Sequence, residues 1–173
     1  MKTVYILRHA KSDQSDGSIS DHDRPLNARG RETAPRMGAY LKTKGYKPDL
    51  VLCSTARRTV ETCELVRPSL GDITVTFEAG LYLAEARTIS DRLRKLDDAL
   101  GSAMVIGHNP GLEELAGELS ASPKTPDEER LHRRMREKFA TATLAVITFP
   151  MKRWREIKAG GGALADFMRP RDL

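Results

Sequence analysis

A chain of 173 residues, 39% hydrophobic and 31% charged, has the composition of a globular protein with one good core, so we expect a single domain over residues 1–173. No apolar run approaches the ~18 residues of a membrane span, and no signal peptide follows Met1-Lys2, so we expect a cytoplasmic protein without a membrane partner. The net charge of +5 favours anionic ligands, but only 5% of residues are aromatic, which argues against a nucleic-acid partner.

The first structural signal is the apolar run Val-Tyr-Ile-Leu at residues 4–7, which predicts a short buried strand. The run leads directly into Arg8 and His9. Because α/β proteins bind ligands at the carboxyl ends of their strands, this cation and this imidazole are candidates for a functional site. The polar residues 11–26 predict a long loop over the strand end, and loops of this length are uncommon unless they are functional.

The remaining elements follow in alternation along the chain. Asn27 is a suitable N-cap for a helix that Gly45 ends, with a kink or a later start because Pro35 lies inside it. Pro68 is expected to stop the second helix, and Asn109 to cap a later one. Predicted strands cover residues 49–53, 73–77, 103–107 and 143–149, and helical stripes of apolar residues lie at 56–66, 89–100, 112–119 and 131–139. Residues 154–158 predict a hairpin partner for the last long strand.

Strands that alternate with helices predict an α/β fold, a single-domain three-layer sandwich with a mostly parallel central sheet and helices on both faces. The carboxyl ends of three core strands then meet at one edge of the sheet. These ends carry Arg8-His9, residues 54–58 and Gly107-His108.

Two histidines and at least two arginines are therefore expected at this edge, with no acidic residue among them. Arginine forks bind phosphate oxygens bidentately, and helix N-termini favour anions, so the cluster predicts a site for a phosphoryl group. A neutral imidazole can attack phosphorus, while a second, protonated imidazole can hold an oxygen as charge develops. Arginines that neutralise this charge leave no requirement for a metal or another cofactor.

The two cysteines and the acidic segment at residues 21–23 do not predict functional sites. Cys53 and Cys63 form no C-x-x-C pair and predict reduced core thiols, and Cys53 lies too close to Arg57 and Arg58 for a cysteine phosphatase loop. Residues 21–23 (Asp-His-Asp) do not predict a metal site, because three consecutive side chains cannot easily converge on one ion.

Three motifs follow one another along the chain: R-H-A at 8–10, S-T-A-R-R-T-V-E-T at 54–62 and G-H-N-P-G at 107–111. Together they resemble the motifs of the histidine phosphatase superfamily, whose fold is phosphoglycerate mutase-like. Within it, the chain is similar to the small SixA-type phosphohistidine phosphatases. The motifs shared with that branch are L-R-H-A-K-S at 7–12, D-H-D-R-P-L-N at 21–27 and F-x-x-P-R-D-L at 167–173.

The resemblance assigns roles to individual residues. His9 matches the nucleophile that becomes phosphohistidine, and Arg8 matches the first phosphate-binding arginine. Arg58 matches the second, with the adjacent Arg57 as the alternative. His108 matches the second phosphate-binding histidine.

Further candidates are weaker matches to the family pattern. Arg24 and Ser12 are expected to contact the substrate. Phosphoester-cleaving members carry a glutamate general acid after the third strand. Glu78 and Glu85 lie in the right region here, with Glu85 as the candidate acid, although neither lies in a convincing motif. Without such an acid an alkoxide leaves poorly, whereas the imidazole of a phosphohistidine can take a proton from solvent and leave neutral.

The resemblance thus implies a metal-independent phosphatase that works through a phosphohistidyl intermediate and removes phosphate from protein phosphohistidine. Its ligands would be a phosphorylated protein and phosphate- or sulfate-like anions. Two alternatives stay open at this point: a phosphatase for a small phosphorylated substrate, or a non-catalytic module that binds a phosphorylated ligand.

Overall fold

A six-stranded sheet forms the centre of the protein. The computed structural model describes residues 1–173, and its strands are β1 (Lys2–Arg8), β2 (Leu50–Ser54), β3 (Thr74–Glu78), β4 (Ser102–Gly107), β5 (Leu144–Phe149) and β6 (Ala163–Met168). They are ordered β3-β2-β4-β1-β5-β6. The first four run parallel, whereas β5 pairs antiparallel with β1 and with β6. The mostly parallel sheet confirms the predicted fold class.

Five helices cover the two faces of this sheet. They are α1 (Ala28–Thr43), α2 (Arg57–Leu70), α3 (Ala86–Arg94), α4 (Gly111–Leu119) and α5 (Pro126–Glu137). Alternate residues of β1 enter two separate cores: Val4 and Ile6 pack with α3, α4 and α5, and Tyr5 and Leu7 pack with α1 and α2. A strand buried on both faces is continuously apolar, which is why residues 4–7 show no alternation.

Two prolines lie inside helices instead of delimiting them. Helix α1 begins at Ala28, directly after its N-cap Asn27, and continues through Pro35. Helix α2 continues past Pro68 to Leu70, so the predicted stop was wrong. Both prolines are on the exposed side of their helices, where water can solvate the carbonyl that each missing N–H leaves free.

Two further helix boundaries differ from the prediction by a few residues. Helix α3 ends at Arg94, so the apolar stripe extends beyond the helix itself, although Leu96 is still buried. Helix α4 begins at Gly111 with Pro110 as its N-cap, one residue later than predicted. The Asn109 side chain still accepts a hydrogen bond from the first turn of α4, from the N–H of Glu113 at 3.2 Å.

The sixth strand was missed from the sequence, and the hairpin predicted at residues 154–158 was wrong. Trp154–Glu156 forms a 3₁₀ turn instead. Trp154 is fully buried, its indole N–H donates to the carbonyl of Leu100 at 2.9 Å, and the Lys2 ammonium lies 5.6 Å from its ring. The strand that pairs antiparallel with β5 is β6, Ala163–Met168.

The two cysteines are buried free thiols, as predicted. None of the helices is both long and apolar enough to cross a membrane.

Two glycines of α4 provide a test of how closely this helix packs against residue 84. A Cβ on Gly111 would lie 2.0 Å from the carbonyl oxygen of Ala84, whereas a Cβ on Gly117 would meet nothing within 4 Å. We expect Gly111→Ala to lower the free energy of unfolding by about 2 kcal/mol through overpacking. Gly117→Ala should raise it by roughly 0.5–1 kcal/mol through helix propensity. Urea unfolding of both variants measures this, and equal effects would contradict the packing of α4 on residue 84.

Candidate active site

The carboxyl ends of β1, β2 and β4 surround an open cleft of about 770 Å³. In the first turn that follows β1, the N–H of His9 donates to the carbonyl of Gly107 at 3.0 Å, which joins the ends of β1 and β4. Six residues that the sequence proposed for a site line this cleft: Arg8, His9, Ser12, Arg24, Arg58 and His108.

His9 is 7% exposed, and its hydrogen bonding determines its tautomer. Nδ1 lies 2.7 Å from the carbonyl oxygen of Ala10, which can only accept, so Nδ1 carries the proton and Nε2 presents a lone pair. The N–H of Ala10 donates to Oγ1 of Thr62 at 2.9 Å, which ties this turn to α2. Burial, together with the charges of Arg58 and Arg8, lowers the pKa of His9 to about 4. The ring is therefore neutral at pH 7 and able to act as a nucleophile.

His108 lies beside His9, with ring centroids 5.4 Å apart. Its Nε2 shares a 2.8 Å hydrogen bond with the hydroxyl of Ser54 at the end of β2. Burial, followed by the charge of Arg58, lowers the pKa of His108 to about 3. The second imidazole is therefore neutral at pH 7, whereas the sequence interpretation assumed a protonated ring. A bound dianion would offset the arginine charges and favour protonation.

The structure distinguishes the two adjacent arginines at the start of α2. The Arg58 side chain is 3% exposed and lines the cleft, whereas the Arg57 side chain is 57% exposed and lies 3.5 Å from Glu61. Arg58 donates from Nη1 to the carbonyl of Asp21 at 2.6 Å and from Nη2 to its carboxylate at 3.0 Å. Of the two arginines, only Arg58 can contact a ligand in the cleft.

Asp21 is a counter-ion that the sequence interpretation missed. Besides Arg58, its carboxylate accepts hydrogen bonds from Tyr82 and, at 2.9 Å, from Arg24. These donors, led by the Tyr82 hydroxyl, hold the pKa of Asp21 well below its usual range. The cluster of cations is thus partly neutralised by the loop over the strand ends. The position of Asp21, three residues before Arg24 in one motif, was the available signal, but Tyr82 comes from a segment without a clear pattern.

The other two arginines of the cleft, Arg8 and Arg24, are also held by defined contacts. Arg8 donates from Nη1 to the carbonyl of Phe139 at 2.9 Å, and the Asn109 amide donates to the same carbonyl at 2.9 Å. Arg24 donates to the hydroxyl of Ser12. The loop before α1 and the segment after α5 therefore both contribute to the position of the arginines.

Unpaired donors are concentrated in this cleft. Four buried side-chain polar atoms lack a hydrogen-bond partner in the protein, and three of them belong to cleft residues: Arg8 Nε, Arg58 Nε and His108 Nδ1. A buried polar group left unpaired costs roughly 1–3 kcal/mol, and a multivalent anion is the partner that the two guanidinium groups favour. No group of three His, Cys, Asp or Glu side chains is arranged to hold a metal ion.

Neither candidate general acid lines the cleft. Glu78 pairs with Arg92, and Glu85, at the N-terminus of α3, lines a separate cavity with Arg87 and Glu114. The carboxylates that do line the cleft are those of Asp13 and Asp21. Ser15 donates hydrogen bonds to Asp13 and lowers its pKa, so neither carboxylate holds a proton at pH 7.

Comparison with known proteins agrees with this arrangement. A model of the histidine phosphatase superfamily (branch 1) matches residues 4–87, which include Arg8, His9 and Arg58. An uncharacterized protein of Mycobacterium tuberculosis is 34% identical over 165 residues, which cover 95% of this chain and 100% of that protein.

Two solved structures share the fold over nearly the whole chain. A proposed phosphohistidine phosphatase SixA from Agrobacterium tumefaciens is 28% identical, with a TM-score of 0.80 over 98% of both chains. A protein histidine phosphatase SixA in complex with tungstate is 25% identical, with a TM-score of 0.78 over 99% of both chains.

The neutral state of the two cleft histidines is testable. Their pKa values of about 4 and about 3 in the folded protein lie below the unfolded value of about 6.5. Below about pH 6.5 the unfolded chain binds protons at His9 and His108 that the folded chain does not, so stability falls as the pH drops toward 4, by about 2 kcal/mol per histidine between about pH 7 and pH 5. NMR titration of the imidazoles measures the pKa values. Urea unfolding at both pH values should show a smaller pH effect for His9→Gln, and a pKa above about 6 for either ring would contradict the geometry.

Proposed function

The chain belongs to the histidine phosphatase superfamily, and we propose that it is a phosphatase that forms a phosphohistidyl intermediate on His9 and acts on phosphohistidine in proteins. The observation that carries this proposal is the state of His9. Its Nδ1 donates a hydrogen bond to the carbonyl of Ala10, its ring is neutral, and its Nε2 lone pair lies in a cleft lined by three arginines.

In the proposed first step, Nε2 of His9 attacks phosphorus in line with the bond to the leaving imidazole. The N–P bond to the substrate breaks as the N–P bond to His9 forms, and the leaving imidazole takes a proton from solvent. Arg8, Arg58 and Arg24 neutralise charge on the phosphoryl oxygens, and His108 holds one of them. Water then attacks the phosphohistidyl enzyme and releases inorganic phosphate and neutral His9.

The ionised state of the two carboxylates in the cleft favours a substrate whose leaving group needs no general acid. Asp13 and Asp21 both have lowered pKa values, because they accept hydrogen bonds from hydroxyl or guanidinium groups. Neither can donate a proton to an alkoxide at pH 7. An imidazole leaving group has no such need, since solvent can protonate its second ring nitrogen.

The similar solved structures support the same substrate class, since one is named a proposed phosphohistidine phosphatase SixA, at 28% identity, and another a protein histidine phosphatase SixA, at 25% identity. The open cleft also suits a protein side chain as substrate.

Substrate choice and the nucleophile can be tested together. We expect the wild-type protein, without added metal, to hydrolyse a phosphohistidine-bearing protein at least about 100-fold faster than an alkyl phosphate, the range that a missing general acid costs. His9→Ala should abolish hydrolysis, and Glu85→Gln should leave it within about twofold, because Glu85 lies outside the cleft. Faster turnover of the alkyl phosphate, with loss of activity in Glu85→Gln, would favour the small-phosphoester alternative.

The adjacent arginines offer a matched pair of variants. Arg58→Ala should lower kcat/KM by about 10²–10³-fold, since it removes a buried cation that contacts the transferring group. Arg57→Ala removes an exposed arginine one residue away and should change kcat/KM by less than about twofold. Steady-state kinetics on the same phosphohistidine protein measures both, and a larger loss in Arg57→Ala would reverse the assignment.

A further inference from the structure

A second basic cavity of about 240 Å³ lies beside the catalytic cleft. The two share a wall made by Lys11, Ala140 and Thr141. No acidic residue lines the second cavity, and half of its lining residues are cations. Its lining residues are Lys11, Arg29, Thr33, Ala140, Thr141, Arg169, Pro170 and Arg171.

Arg169, Pro170 and Arg171 line this cavity. They belong to the C-terminal motif at residues 167–173, which the proposed reaction does not use. The Arg169 side chain is 5% exposed, and it donates from Nε to Asp172 at 2.7 Å and from Nη1 to Glu137 at 3.1 Å. Its third nitrogen, Nη2, makes no hydrogen bond within the protein. A buried guanidinium that is oriented by two carboxylates and retains a free donor has the properties of a preorganised anion contact.

The charges around Arg169 leave the cavity positive. Asp172 is shared among arginines, because Arg134 and Arg171 act on it in addition to Arg169. Lys11, Arg29 and Arg171 reach the cavity from exposed positions. The cations around the cavity therefore outnumber the carboxylates of Asp172 and Glu137, and an external anion would be attracted to this surface.

The wall between the two cavities is firmly connected to the nucleophile. The N–H of Ala142 donates to the carbonyl of His9 at 2.9 Å, and the carbonyl of Phe139 holds Arg8. The wall at residues 140–141 lies between these two anchors. The spacing between the phosphoryl site and the second cavity is thus set by hydrogen bonds on both sides of the wall.

We propose that this cavity binds a side-chain carboxylate of the substrate protein, close to the phosphohistidine that occupies the cleft. The proposal rests on the proposed function. A ligand with its phosphate at Arg8 and Arg58 must cross Lys11 and Thr141 to reach the second cavity, and a polypeptide surface does so easily. The cavity has no aromatic lining on which a nucleobase could stack, whereas its cations match an aspartate or a glutamate.

The test uses the full-length protein and two forms of one phosphohistidine-bearing phosphotransfer protein. One form carries Asp and Glu around the phosphohistidine, and in the other these residues are changed to Asn and Gln. We expect the wild type to prefer the acidic form by on the order of tenfold in kcat/KM, through KM, as for two exposed charge pairs. The double variant Arg29→Gln/Arg171→Gln, which leaves Lys11 and Arg169 in place, should lose most of this preference. It should keep its turnover of phosphoramidate, because neither arginine lines the catalytic cleft.

Arg155→Gln is the matched control. Arg155 is an exposed arginine in the turn whose Trp154 packs on Lys2, at the opposite end of β1, and its variant should keep the full preference for the acidic protein. A double variant at Arg29 and Arg171 that retains the preference would overturn the carboxylate site.

The remaining outcomes separate this inference from the proposed function. Failure of the wild type to hydrolyse either phosphohistidine protein would refute the proposed function, and the carboxylate site with it. Hydrolysis of both forms at equal rates would leave the function standing and refute the carboxylate site alone. A small bis-phosphorylated compound that is hydrolysed as efficiently as the acidic protein, with the same sensitivity to the double variant, would assign the cavity to a small polyanion instead.

Discussion

The parallel pairing of β1 with β4 is the constraint on which the rest of the site depends. It aligns Arg8 with Gly107, so the residues that follow each strand, His9 and His108, leave the sheet side by side. Both strands are buried on both faces, and a register shift would exchange the residues of the two cores. The position of the two imidazoles is therefore held by the packing of the whole sheet, and not by local contacts alone.

Electrostatics in the cleft balances two requirements. Buried arginines suit a dianion, and burial together with the same charges lowers the pKa of His9, which keeps its imidazole unprotonated. Asp21 moderates this arrangement. Its carboxylate and its carbonyl orient Arg58 in the ligand-free protein, and the donors around it keep it ionised. The loop over the strand ends thus supplies a counter-ion to a cluster that would otherwise repel itself.

The distribution of carboxylates in the cleft bears on the kind of bond that can be broken. A phosphatase that releases an alcohol needs a protonated acid near the leaving oxygen, and the cleft offers only two ionised carboxylates. A phosphoramidate bond avoids this need. The basic cavity beside the cleft places the C-terminal residues Arg169, Pro170 and Arg171 next to the site.

The sequence by itself determined the class of fold and six of the residues that line the cleft, because these depend on local patterns: an apolar run, a capping residue or a short motif. It did not distinguish Arg58 from Arg57 by physical argument, since both lie in the first turn of α2 and only packing against the loop shows which is buried. It also missed β6, the contact of Asp21 with Tyr82, and the exclusion of Glu85 from the cleft. Each of these depends on residues far apart in the chain, which no periodicity records. Which groups share a charge, a hydrogen bond or a cavity was decided only by the tertiary structure.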